Sequence, residues 1–94
     1  EREQFMNWFR SLSAQTQVRT YRQQADAIRQ EQLSQALRKL EQGEDAAAVL
    51  AEFSERLTNK LIHAPTEALR QAGEAGDKTS LSLLSQALQL DEKN

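Results

Sequence analysis

The only histidine of this chain, His63, and its only proline, Pro65, stand two residues apart in the stretch NKLIHAPTEALR (Asn59–Arg70). An imidazole can serve as a general base, a metal ligand or a polar contact, so its surroundings decide which. Metal binding or catalysis has little support, because the chain has no second histidine and no cysteine thiol. Asn59 and His63 lie four residues apart, on one side of a helix, where they can form a polar pair at an interface between helices. A purely structural reading serves equally. Proline removes the amide that would bond Leu61 and disfavours helical angles at Ala64, so the helix kinks or restarts here. A restart places Ala64 at the N-cap, Pro65 at the first helical position and Glu67 two residues on, with His63 in the last turn of the preceding helix. All three readings stand at this point.

Three arginines, Arg19, Arg22 and Arg29, fall on one flank of a helical stretch and could touch phosphate, tRNA included. The plainer reading is a solvated face paired to acids on neighbouring turns. Phe5, Trp8, Phe9 and Leu12 repeat at i, i+3, i+4 and i+7, one stripe of a helix. Glu1, Glu3, Arg2 and Arg10 mix both signs on the polar side, which suits packing rather than an anionic lipid surface. No glycine-rich phosphate loop, paired-cysteine spacing or serine elbow is present. No catalytic, cofactor-binding or metal-ligating residue is therefore expected on this chain.

These residues must be carried by helices. The 94 residues suffice for one domain, but only 38% are hydrophobic and the mean hydropathy is −0.74, which is lean for a compact monomer. A helical domain that completes its core with a second copy needs less. The net charge of −2 gives no sign of a dedicated nucleic-acid binder. No apolar run approaches the roughly 20 residues needed to cross a bilayer, so no membrane partner is expected. The helical pattern is already under way at the first residues, as expected of a segment from within a longer chain.

The spacing predicts an all-α fold, an elongated bundle of about five helices completed by a second copy in a homodimer. A first helix ends near Ser11, where SLSAQT offers capping hydroxyls. A second spans about Thr16 to Glu41. Its stripe runs through Val18, Tyr21, Ala25 and Ile28, then after a gap of five continues through Leu33, Leu37 and Leu40, so its two halves face different neighbours. Gly43 suits a left-handed C-terminal position and Asp45 the next N-cap. Val49, Leu50, Phe53, Leu57 and Leu61 stripe the third helix, which Pro65 interrupts. Gly73 or Gly76 closes the fourth, and Asp77 caps the fifth. In that last helix Leu81, Leu84 and Leu88 form one stripe and Leu83, Ala87 and Leu90 another, an arc wide enough for contacts on more than one side. Core or interface positions are thus Leu33, Leu37, Leu40, Leu50, Phe53, Leu57, Leu61, Leu84 and Leu88. The joint or polar pair comprises Asn59, His63 and Pro65.

The stretch LTNKLIHAPTEALRQA (Leu57–Ala72) resembles the signature region of the C-terminal dimerisation domain of the glutamyl-tRNA reductase family. The earlier FMNWFRSLSAQTQVRTYRQQADAIRQEQLSQALRKL is similar to the end of that family's long connecting helix and the first helix of its dimerisation domain. Many members carry a proline where this chain has Thr16. The resemblance implies residues 1–12 as the end of the connecting helix and residues 13–94 as the dimerisation domain. It also implies a cytoplasmic parent enzyme that uses NADPH to reduce the glutamyl group of glutamyl-tRNA to glutamate-1-semialdehyde, opening tetrapyrrole and haem synthesis. The family's catalytic cysteine and nucleotide-binding domain have no counterpart in these residues. Lys60 to Thr66 match the dimer-forming module, through which two subunits meet in a V-shaped dimer. A helical adaptor that binds tRNA or a regulatory protein through the arginine flank is the alternative.

Overall fold

A computed structural model describes the backbone of residues 2–90 and the side chains of residues 13–90. It contains three helices: α1 (Arg2–Glu41), α2 (Ala46–Ala75) and α3 (Lys78–Ala87). The all-α expectation holds among the described residues, but the count of five does not. The two expected breaks fail for separate reasons. SLSAQT contains neither glycine nor proline, and serine and threonine are only mildly unfavourable inside a helix, so α1 runs through the expected break for its full 40 residues. Pro65 lies inside α2, which continues past it for ten residues. The proline therefore takes one hydrogen bond from the helix without ending it. Leu61, whose carbonyl loses that bond, is 40% exposed, so water can reach this stretch of backbone. The restart with Ala64 as N-cap is thereby overturned.

The ends of α1 and α2 and the starts of α2 and α3 are where the sequence placed them, whereas α3 stops at Ala87, so Leu88 and Leu90 do not continue its helical stripes. Glu44 N–H donates to the Lys39 carbonyl at 3.1 Å and Gly43 N–H to the Leu40 carbonyl at 3.1 Å, closing α1 in a Schellman motif with Gly43 at φ +87°. Asp77 N–H to the Ala72 carbonyl (3.0 Å) and Gly76 N–H to the Gly73 carbonyl (3.2 Å) repeat the motif after α2, with Gly76 rather than Gly73 at positive φ. Leu90 N–H to Ser85 (2.9 Å) and Gln89 N–H to Gln86 (3.2 Å) repeat it after α3, where Gln89 takes φ +56° despite its side chain. At the starts, an Asp45 carboxylate oxygen accepts from Ala48 N–H at 3.0 Å and Asp77 from Ser80 N–H at 3.0 Å, as N-cap acids do. The Ser80 hydroxyl also donates to Asp77 at 2.6 Å.

The chain divides into two compact units, Glu1–Leu57 and Thr58–Asn94. In the first, α1 and the start of α2 pack through Ala36 and Val49, 7% and 2% exposed, with Gln32 buried beside them. Gln32 and Ala36 are one turn apart, and the small alanine lets the helices approach where a leucine would hold them apart. In the second unit, α3 packs on the end of α2, where Ala72 is the one buried residue among those described.

Candidate functional site

The residues able to do chemistry do not converge. His63 and Asn59 are both exposed on α2, one turn apart. Glu67, four residues beyond His63, is the acid that sequence reasoning should have weighed as a partner for the ring. Its carboxylate instead accepts from the Arg70 guanidinium at 2.7 Å. Among the described residues no three His, Cys, Asp or Glu side chains group as metal ligands would. The arginine flank is partly self-neutralised. Arg22 and Arg29 both approach Asp26, at 3.6 and 3.8 Å, in the exposed pairing of the plainer reading. Phe5, Trp8, Phe9 and Leu12 lie outside the residues with described side chains.

One polar cluster joins α1 to α2 within the first unit. The Lys39 ammonium donates to the Glu52 carboxylate across the two helices, and the Arg56 guanidinium reaches the same carboxylate at 3.1 Å. The Lys39 hydrogen bond and the positive charges of Arg56 and Lys39 hold the Glu52 carboxyl below the usual range. Asp77 is lowered likewise by its hydrogen bonds from the Ser80 side chain and the Ser80 and Thr79 amides. Both acids work as structural fasteners.

The apolar positions expected as core or interface behave differently from a monomer core. None of the nine is buried: Leu33, Leu40, Phe53, Leu57 and Leu84 are half-buried, while Leu37, Leu50, Leu61 and Leu88 are exposed. Ile62, outside the expected apolar stripe but inside the matched Lys60–Thr66 piece, is 51% exposed. Sequence reasoning missed Gln32 and Ala36, whose polar and small side chains gave no signal of burial. The longest unbroken run of exposed residues in the middle of α2 extends from Thr58 to Ala64. This run lies within Leu57–Ala72, the stretch that resembles the family signature.

Comparison with known proteins gives the family. The profile of the family described as glutamyl-tRNAGlu reductase, dimerisation domain, matches residues 1–90. A glutamyl-tRNA reductase of Shewanella loihica is 49% identical over 92 residues, 98% of this chain and 22% of the relative. Another, from Shewanella baltica, is 50% identical over 88 residues, 94% of this chain and 21% of the relative. The chain thus spans about a fifth of the length of the curated relatives it matches. No solved structure matches it significantly. With the family's profile covering nearly every residue and exposed leucines along its helices, this chain belongs to the glutamyl-tRNAGlu reductase dimerisation-domain family.

Proposed function

We propose that this chain is the homodimerisation module of an NADPH-dependent glutamyl-tRNA reductase. One observation carries the self-association: nine large apolar side chains are exposed, against three small buried ones, Ala36, Val49 and Ala72, among the described residues. Such a ratio leaves most of the hydrophobic driving force unused until a partner arrives, at about 25 cal/mol for each Å² of apolar surface covered. A second copy is the partner the family assignment favours.

In this reading residues 1–12 end a connecting helix and residues 13–94 form the dimerising part. The continuity of α1 from Arg2 to Glu41 supports a stiff joint between them. The catalytic groups, the NADPH site and the principal tRNA contacts are assigned to the parts of the parent enzyme beyond this chain, in the cytoplasm. There the glutamyl group of glutamyl-tRNA is reduced to glutamate-1-semialdehyde, the first step toward haem. Dimerisation holds two such catalytic parts at a fixed separation. Among the described residues no helix is long and apolar enough to cross a membrane. The Asp26 pairing of Arg22 and Arg29 gives no support to an arginine-driven tRNA adaptor.

Sedimentation equilibrium of this chain over a wide concentration range tests the proposal. The expected mass is twice the protomer's 10.7 kDa. A folded species of protomer mass at all concentrations would refute it.

A further inference from the structure

Among the described residues Gln32 is the one polar side chain that is buried, at 4% exposure. On α1, Gln32, Ala36 and Lys39 stand at i, i+4 and i+7, on one face of the helix. On α2, Val49, Glu52 and Arg56 stand at i, i+3 and i+7, again on one face. All six side chains line a cavity of about 10 Å³ within the first unit. A glutamine amide carries two donors and an acceptor, and burying them without partners is costly. The side-chain hydrogen bonds described in this unit run from Lys39 to Glu52, from the Ala48 amide to Asp45 and from the Ser54 hydroxyl to the Ala51 carbonyl. Gln32 takes part in none of these. Yet among the described residues no side-chain nitrogen or oxygen sealed from solvent lacks a partner. The Gln32 amide therefore reaches solvent, and the cavity that it lines is the space through which it does so.

We propose that this cavity is the binding site of a single water molecule, which completes the hydrogen bonding of Gln32 and bridges it to the cluster of Lys39, Glu52 and Arg56. Size selects the ligand first. A space of about 10 Å³ is close to the least that holds one water, so a phosphate or other large anion does not fit. Chemistry selects it next. A buried water needs about two to four polar partners, and the lining offers donors on Gln32, Lys39 and Arg56 and acceptors on Gln32 and Glu52. A metal cation is disfavoured, because Lys39 and Arg56 already set two positive charges against the one carboxylate of Glu52. The water gives the contact between α1 and α2 a register. Turning α1 about its axis would carry Gln32 away from the cluster and leave its amide buried and unpaired, so only one face of α1 satisfies α2. Every residue involved belongs to the first unit, and the site does not depend on whether the chain forms a dimer.

A crystal structure of the whole chain, at a resolution that shows ordered water, tests this site. The expected result is one water within about 3.2 Å of the Gln32 amide and of at least one group among Lys39, Glu52 and Arg56. A Gln32 amide bonded directly to Glu52, or a cavity without density, would overturn the proposal. Gln32→Leu is the companion variant, with its helix content checked by circular dichroism. Its structure should keep Ala36 and Val49 buried and lose the water. A water that persists in Gln32→Leu, held by Lys39 and Glu52 alone, would overturn the assignment of the site to Gln32. Where Gln32→Leu loses helix, the unaltered chain decides through nuclear Overhauser contacts between water and the Gln32 amide protons. Cross-peaks with the sign of bound water support the site, and cross-peaks with the sign of freely exchanging surface water refute it.

Discussion

The two units of this chain solve the problem of a small hydrophobic content differently. The first closes on itself: Val49 and Ala36 seal the contact between α1 and α2, and Glu52 ties the helices together through Lys39. The second has Ala72 as its one buried residue among those described, and its ion pair, Arg70 with Glu67, stays within one helix. It leaves Leu61, Ile62, Leu83 and Leu90 in water. Both units leave large apolar side chains in water, Val18, Tyr21, Leu37 and Leu50 in the first, but among the described residues only the first has an ion pair that ties one helix to another. The contrast teaches where stability and association separate. Changes at the buried Val49 and Ala36 should move melting, and changes at the exposed apolar positions of either unit should move the dimer constant.

The largest effect that would break this contrast comes from Val49. Val49→Asp buries a charge at a position 2% exposed and should unfold the first unit outright. The milder Val49→Ala should cost about 1–2 kcal/mol in chemical denaturation. A dimer of unchanged stability would mean that the contact between α1 and α2 contributes little. Pro65→Ala comes next. A proline inside a helix costs about 3 kcal/mol relative to alanine, so this variant should melt higher by denaturant titration. A loss of stability would instead mean that the proline makes a contact worth more than the helical hydrogen bond it removes.

Gly43→Ala sharpens the picture of the first unit. At φ +87° with no atom within 4 Å of the added methyl, only backbone strain opposes the change, at about 1–2 kcal/mol. A neutral result would place the α1 terminus in a different turn. The smallest effect is on pH dependence. Glu52 and Asp77 are both lowered in the folded chain, so their contributions are fully present above the unfolded carboxyl values and are lost as pH falls through the folded ones. Melting should therefore decline gradually below about pH 4.5, and Glu52→Gln should flatten part of that decline. A curve that Glu52→Gln leaves unaltered would remove Glu52 from the account.

Much of this was legible in the residues. Gly43, Asp45, Gly76 and Asp77 act where their chemistry predicted, because left-handed turns and unpaired helix amides make local demands that few residue types meet. The errors came where signals are weak. The hydroxyls of SLSAQT permit a helix break without requiring one, and Pro65 weakens a helix that 30 residues of favourable sequence can sustain. Burial of Gln32 and Ala36 is a tertiary outcome of how closely two helices approach, and nothing in the apolar spacing encodes it. The leucine count alone could not separate a stripe that packs within the chain from one that waits for a partner.

The most direct test measures distances across the dimer. The chain contains no cysteine, so one introduced residue carries one spin label per subunit. Thr58→Cys and Lys60→Cys sit at nearly the same height on α2 but on opposite sides, about 200° apart. A dipolar coupling in pulsed electron resonance between labels in the doubly labelled dimer is the expected result at one position or both, and no coupling at either would contradict a homodimer.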